Sequence, residues 1–69
     1  MTYFEFRDRI ERRLRKTPRG LSWKALRDQL ALPYERACPE WTKRLEHEIG
    51  LKRVRREGPA LIWTLPPKT

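Results

Sequence analysis

The chain reads as an α+β fold, mostly α: three helices followed by a two-stranded β-hairpin. Three observations predict it. Apolar residues recur at three- and four-residue steps in three separate stretches up to Ile49, whereas alternation with a period of two replaces that pattern over Ala60 to Leu65. Breakers separate the stretches: Thr17-Pro18-Arg19-Gly20, Pro33, Pro39 and Gly50. With 69 residues the chain holds one domain, assigned to residues 1–65, with a flexible tail over 66–69.

The first helix opens on Thr2-Tyr3-Phe4-Glu5, the S/T-x-x-E spacing of a capping box. Tyr3, Phe6, Ile10 and Leu14 then place one apolar stripe on a helix running to about Lys16. Ser22 is a good N-cap for the second helix, Trp23 to about Leu30, and Leu21 before it can staple onto Leu26. Residues Ala31 to Cys38 form a long turn, because Pro33 and Pro39 disfavour helix at the residue before each. Pro39 suits the first position of a third helix, with Glu40 favourable beside its N-terminal dipole and Trp41, Leu45 and Ile49 on one side. Gly50 ends that helix as a left-handed cap, with Leu51 folding back. The two hairpin strands, Lys52 to Arg56 and Ala60 to Leu65, flank Glu57-Gly58-Pro59. Leu61, Trp63 and Leu65 point one way, and Val54 is expected to supply the first strand's buried contact.

This order resembles that of a winged helix-turn-helix domain. The residues that carry the resemblance are Leu26 and Leu30 on the second helix, Leu45, Ile49, Gly50 and Leu51 closing the third, and the hairpin ending in Trp63-Thr64-Leu65. The resemblance implies that the third helix is a recognition helix laid in the major groove and that the hairpin is a wing touching the DNA backbone or minor groove. The chain departs from the motif in its connection between the second and third helices, which is longer than the standard tight turn. Its third helix is also not basic, since Lys43 and Arg44 face Glu40, Glu46 and Glu48.

Composition narrows the function. The chain is 38% charged, with 17 Lys+Arg against 9 Asp+Glu, a formal net charge of +8. A polyanion is the first partner to consider for such a balance. So small a core argues against a deep catalytic cleft, so no enzyme activity and no small-molecule substrate are expected. Cys38 and His47 are the single cysteine and histidine, too few for an internal disulfide or a structural zinc site, and neither a metal nor another cofactor is expected. No apolar run approaches the roughly 20 residues that span a bilayer, and residues 1–7 lack the order of a secretory signal. The expectation is a cytoplasmic protein with no membrane partner, nucleoid-associated if bacterial.

The excess charge is unevenly spread. Residues 7–19 carry seven basic against two acidic groups, residues 52–57 four against one, and residues 22–49 five of each. In the first helix Glu5–Arg9, Asp8–Arg12 and Glu11–Arg15 are acid-first i,i+4 pairs of a solvated face, each worth about 0.2–0.5 kcal/mol. The stems of Arg7 and Arg13 can cover the apolar stripe. Lys16 and Arg19 fall where the turn enters the second helix, and they are candidates for phosphate contact. The strand Lys52-Arg53-Val54-Arg55-Arg56 sets like charges at i and i+2, which repel unless an anion is present, although charged edge strands also guard against aggregation.

On the third helix, a wheel centred on Trp41, Leu45 and Ile49 sets Lys43 and His47 opposite and Glu40 and Arg44 at the sides. Lys43, Arg44 and His47 are therefore either the groove contacts that the resemblance implies or the solvent face of a core helix. The expected function is binding of double-stranded DNA by Lys43, Arg44 and His47 in a groove and by Lys52, Arg53, Arg55 and Arg56 on phosphates, in transcription regulation or another DNA transaction. The alternative is a protein-interaction module, or a homodimer, using the third helix, Phe4 and the turn over residues 32–38. RNA is a weaker option, because no aromatic motif for stacking single strands is evident.

Overall fold

Side-chain caps set where the first two helices begin, and a proline where the third does. The computed structural model of the chain describes residues 1–55, 58 and 61–66. Thr2 Oγ1 accepts from the Glu5 N–H at 3.2 Å, and α1 runs Tyr3–Arg15. Ser22 Oγ accepts from the Ala25 N–H at 3.1 Å, and α2 runs Trp23–Leu30. For α3, Pro39–Glu48, Pro39 occupies the first turn, while the Cys38 carbonyl accepts from both the N–H and the hydroxyl of Thr42. The ends obey different devices. Gly50 takes φ +72 after α3, and the Leu51 N–H reaches back to the Leu45 carbonyl at 3.3 Å. After α2 the left-handed position falls on Ala31, φ +52, and the Leu32 N–H bonds the Arg27 carbonyl at 2.9 Å, burying Leu32.

The sheet has three strands, not the two expected. β1 (Leu21–Ser22), β2 (Lys52–Arg55) and β3 (Leu61–Thr64) lie in the order β1-β3-β2, every pairing antiparallel. Leu21 pairs with Trp63 and Ser22 with Ile62, so Ser22 is at once strand residue and helix cap. Gly20 makes that approach possible: it has φ +83, and a Cβ there would sit 2.5 Å from the Trp63 carbonyl oxygen and 2.7 Å from the Ile62 side chain.

The register corrects a second expectation. Arg53 stands opposite Trp63, which is 3% exposed, and Val54 opposite Ile62 on the other face, where Val54 is 36% exposed. The strand therefore turns an arginine, not its valine, toward the side that Trp63 buries. Of the hairpin turn only Gly58 is described; Arg56, Glu57, Pro59 and Ala60 lie outside the described residues, as does the tail from residue 67.

The core joins the α1 stripe to Leu26 of α2, Leu45 of α3 and Trp63 of β3. Phe6 is its aromatic centre, with ring centroids 5.0 Å from Trp41 and 6.1 Å from both Trp23 and Tyr34. Trp23 and Trp41 remain half-buried, packed against that core. The long turn is tied down by the Glu35 carbonyl, which accepts from Trp23 Nε1 at 3.1 Å and from Arg27 Nη1 at 3.2 Å. Leu32 and Tyr34 thus belong to the core rather than to a second surface.

Candidate nucleic-acid interface

α3 turns Leu45 inward and Trp41 partly so, which leaves Lys43 and His47, one turn apart and both exposed, at the middle of its outer face. Its charge is not distributed as a net −1 suggests. Glu46 leans toward β2 and meets Arg53 at 3.3 Å. Glu48 leans toward α1, where it accepts from Arg44 at 3.1 Å and also from Arg7. Among the described residues, Glu40 is the one α3 carboxylate outside an ion pair, and it sits in the first turn, where the helix dipole favours it. Both carboxylates beyond that turn are thereby neutralised at the flanks, and the middle of the outer face is left to a lysine and an imidazole.

Arg44 is engaged at the α1 flank. Its guanidinium lies 3.8 Å from the centre of the Tyr3 ring, in addition to its pair with Glu48. Arg7 spans Glu48 and the ring of Phe4, 5.2 Å from its centre, so Phe4, though 61% exposed, is roofed by a cation. Hydrogen bonding from Arg7, reinforced by Arg44, holds the Glu48 carboxyl below its ordinary range. Burial, followed by the adjacent Glu48 charge, pushes the Tyr3 phenol above its ordinary value. The Tyr3 hydroxyl is enclosed and has no hydrogen-bond partner of acceptable geometry, although the Glu48 charge acts on it.

On β2, Lys52 and Arg55 are exposed and have no carboxylate within 4.0 Å among the described residues, whereas Arg53 ties the strand to α3. Arg56 lies outside the described residues. Lys43 and His47 therefore lie on α3, and Lys52 and Arg55 on the edge strand that follows it, where Lys52 alternates to the Val54 side and Arg55 to the Arg53 side.

Lys16 and Arg19 fall elsewhere. Arg19 occupies the exposed turn between α1 and β1. Lys16 caps α1 and lines, with Arg9, Arg12 and Arg13, a depression of about 210 Å³ floored by Leu30. Of the three expected pairs on α1, Asp8–Arg12 (3.3 Å) and Glu11–Arg15 (2.9 Å) form, and Glu5–Arg9 does not.

The fold also assembles a group that sequence reasoning missed. Lys24, Arg36 and Arg53 rim a groove of about 530 Å³ whose apolar wall includes Trp23, Trp63 and Leu61. The two indoles are tilted by 31° with centroids 5.3 Å apart. No spacing signals this, since Lys24 follows a cap and Arg36 lies in an irregular turn. Among the described residues no His, Cys, Asp and Glu side chains gather to hold a metal ion, and no helix is long and apolar enough to cross a membrane. Comparisons with protein-family models, with curated proteins and with solved structures find no match to this chain.

Proposed function

We propose that this chain is a winged-helix module that binds double-stranded DNA, with α3 facing a groove and the β2–β3 hairpin acting as the wing. The observation that carries the reading is the pairing of Glu46 with Arg53 and of Glu48 with Arg7 and Arg44. It relieves the electrostatic objection to placing α3 against phosphates, and it anchors the basic strand beside the helix. Lys43 and His47 then meet base edges, where an ammonium donates to guanine and an imidazole can donate or accept. Lys52 and Arg55, with Arg56, meet phosphates. Arg53 positions β2, and Arg44 keeps to the α1 flank. A helix of 10 residues is about 15 Å long, and the major groove, about 12 Å wide, admits an α-helix. The reading needs neither a cofactor nor catalysis.

A protein-interaction role through Phe4 and the turn over residues 32–38 has less support. Leu32 and Tyr34 pack into the core, which removes most of the turn's apolar surface and leaves Phe4, 61% exposed with Arg7 near one face of its ring, as the main apolar contact on offer.

The test is a chemical-shift titration of the full chain with random-sequence duplex. The expected footprint falls on Lys43, His47, Lys52 and Arg55. Shifts confined to other surfaces, or none at low salt, would overturn the proposal.

A further inference from the structure

We propose that the flank of α1 bearing Arg9, Arg12, Arg13 and Lys16 is a second contact surface for a nucleic-acid backbone, so that one molecule can hold two duplex segments. The inference rests on the reading of α3 and β2 for the first segment and adds the second.

Three observations support it. The four cations line one depression over Leu30, and among the described residues Arg9, Arg13 and Lys16 have no carboxylate within 4.0 Å. They also crowd one another: Arg9 and Arg13 stand at i,i+4, Arg13 and Lys16 at i,i+3, and Arg12 and Lys16 at i,i+4. Such like-charge neighbours disfavour the helix unless an anion lies across them. Finally, the position is separate from the first surface. On a helical wheel Arg7 lies on one side of the Tyr3-Phe6-Ile10-Leu14 stripe and meets Glu48 of α3, whereas Arg9, Arg13 and Lys16 lie on the other, beside α2.

Charge complementarity sets the occupant. The seven helical steps from Arg9 to Lys16 span about 10 Å, the axial length of about three phosphates of one strand at about 3.4 Å each. A row of cations over that length, around an open depression, suits a linear polyanion better than a single small anion.

The experiment uses the full chain and two charge-neutral variants, Arg9→Gln/Arg13→Gln/Lys16→Gln and Lys43→Gln/Lys52→Gln/Arg55→Gln, each checked for folding by circular dichroism. Protein is loaded on bead-bound duplex at low salt, and capture of a second, fluorescent duplex is measured. The wild-type protein should capture it. The α1 variant should stay on the beads while capture falls at least about tenfold. In the α3–β2 variant, duplex should still shift the amides of Arg9, Arg13 and Lys16. Undiminished capture by the α1 variant overturns the proposal, as it would if two copies bridged by self-association. Displacement of duplex from the α1 face by poly-glutamate at lower concentration than by competing duplex also overturns it, in favour of an acidic protein segment. If the α3–β2 variant binds as tightly as wild type, the reading of that face fails and two-segment binding fails with it, while the footprint still reports on α1. A titration of the unmutated chain with a short linear polyphosphate needs no variant; shifts at Arg9, Arg13 and Lys16 support the surface, and their absence contradicts it.

Discussion

Gly20→Ala should nearly unfold the protein. The backbone there has φ +83, a left-handed conformation that costs an L-residue with a Cβ about 1–2 kcal/mol. The added carbon would also lie 2.5 Å from the Trp63 carbonyl oxygen, 2.7 Å from the Ile62 side chain and 3.1 Å from Thr64 Cβ. The first of these is backbone, held by the pairing of Leu21 with Trp63, so relief requires β1 to lift from β3. Overpacking of this kind costs about 1–3 kcal/mol, bringing the total to about 2–5 kcal/mol. A domain of this size holds only roughly 3–5 kcal/mol. Gly58→Ala is the control, because Gly58 also has a positive φ, +75, but no atom within 4 Å of the new carbon. Urea titrations followed by tryptophan fluorescence should place the Gly20→Ala midpoint about 1–3 M below that of Gly58→Ala, for a slope near 1 kcal/mol per molar urea. Equal midpoints would refute the close approach of β1 to β3.

Other substitutions probe single features. Tyr3→Phe removes an enclosed hydroxyl that faces the Glu48 carboxylate without a hydrogen bond of good geometry, so stability should change by no more than about 1 kcal/mol in urea melts. Ala31→Gly relieves a left-handed alanine after α2 and should stabilise by about 0.5–1 kcal/mol in the same assay. The pH dependence has two limbs. Glu48 has a lowered pKa in the folded state, chiefly through Arg7, so its contribution is present above the ordinary value of 4.5 and is lost as pH falls through the lowered one; Glu48→Gln should flatten that part of an acid titration of stability. Tyr3 has a raised pKa, so the folded state holds its proton more tightly, and stability should decline as pH rises above 10.0; Tyr3→Phe should remove that decline.

What the sequence could reveal was local. The Thr2 and Ser22 caps, Pro39 at the start of α3 and the left-handed Gly50 each act within a few residues, and the helices lie where those signals put them. β1 escaped notice because Leu21-Ser22 is too short to show a period, and its partner lies 42 residues away in the pairing of Leu21 with Trp63. Val54 misled for a related reason. Alternation indicates two faces, but which face is inward depends on the Arg53–Trp63 register. The left-handed Ala31 carried no signal, since glycine is the residue that marks such positions.

Charge was harder to read than fold. Glu5 and Arg9 have suitable spacing and do not pair, while Arg7 and Glu48, 41 residues apart, do. Exposed i,i+4 pairs are worth so little that tertiary partners easily override them. The apparent acidity of α3 followed from counting its own residues. The neutralising arginines come from α1, from β2 and from one turn back along α3 itself. The grouping of Lys16 with Arg9, Arg12 and Arg13 over Leu30 likewise needed the position of α2.

The most direct test of the central claim, that α3 and the edge strand β2 bind duplex phosphates, is the salt dependence of duplex affinity for wild type and for Lys52→Gln/Arg55→Gln. Fluorescence anisotropy at a series of salt concentrations yields the slope of log affinity against log salt, which changes by about 0.9 for each phosphate that the protein no longer neutralises. The double variant should bind more weakly at every concentration, with a slope shallower by about 2. Unchanged affinity and slope, or no duplex binding by wild type at low salt, would contradict it.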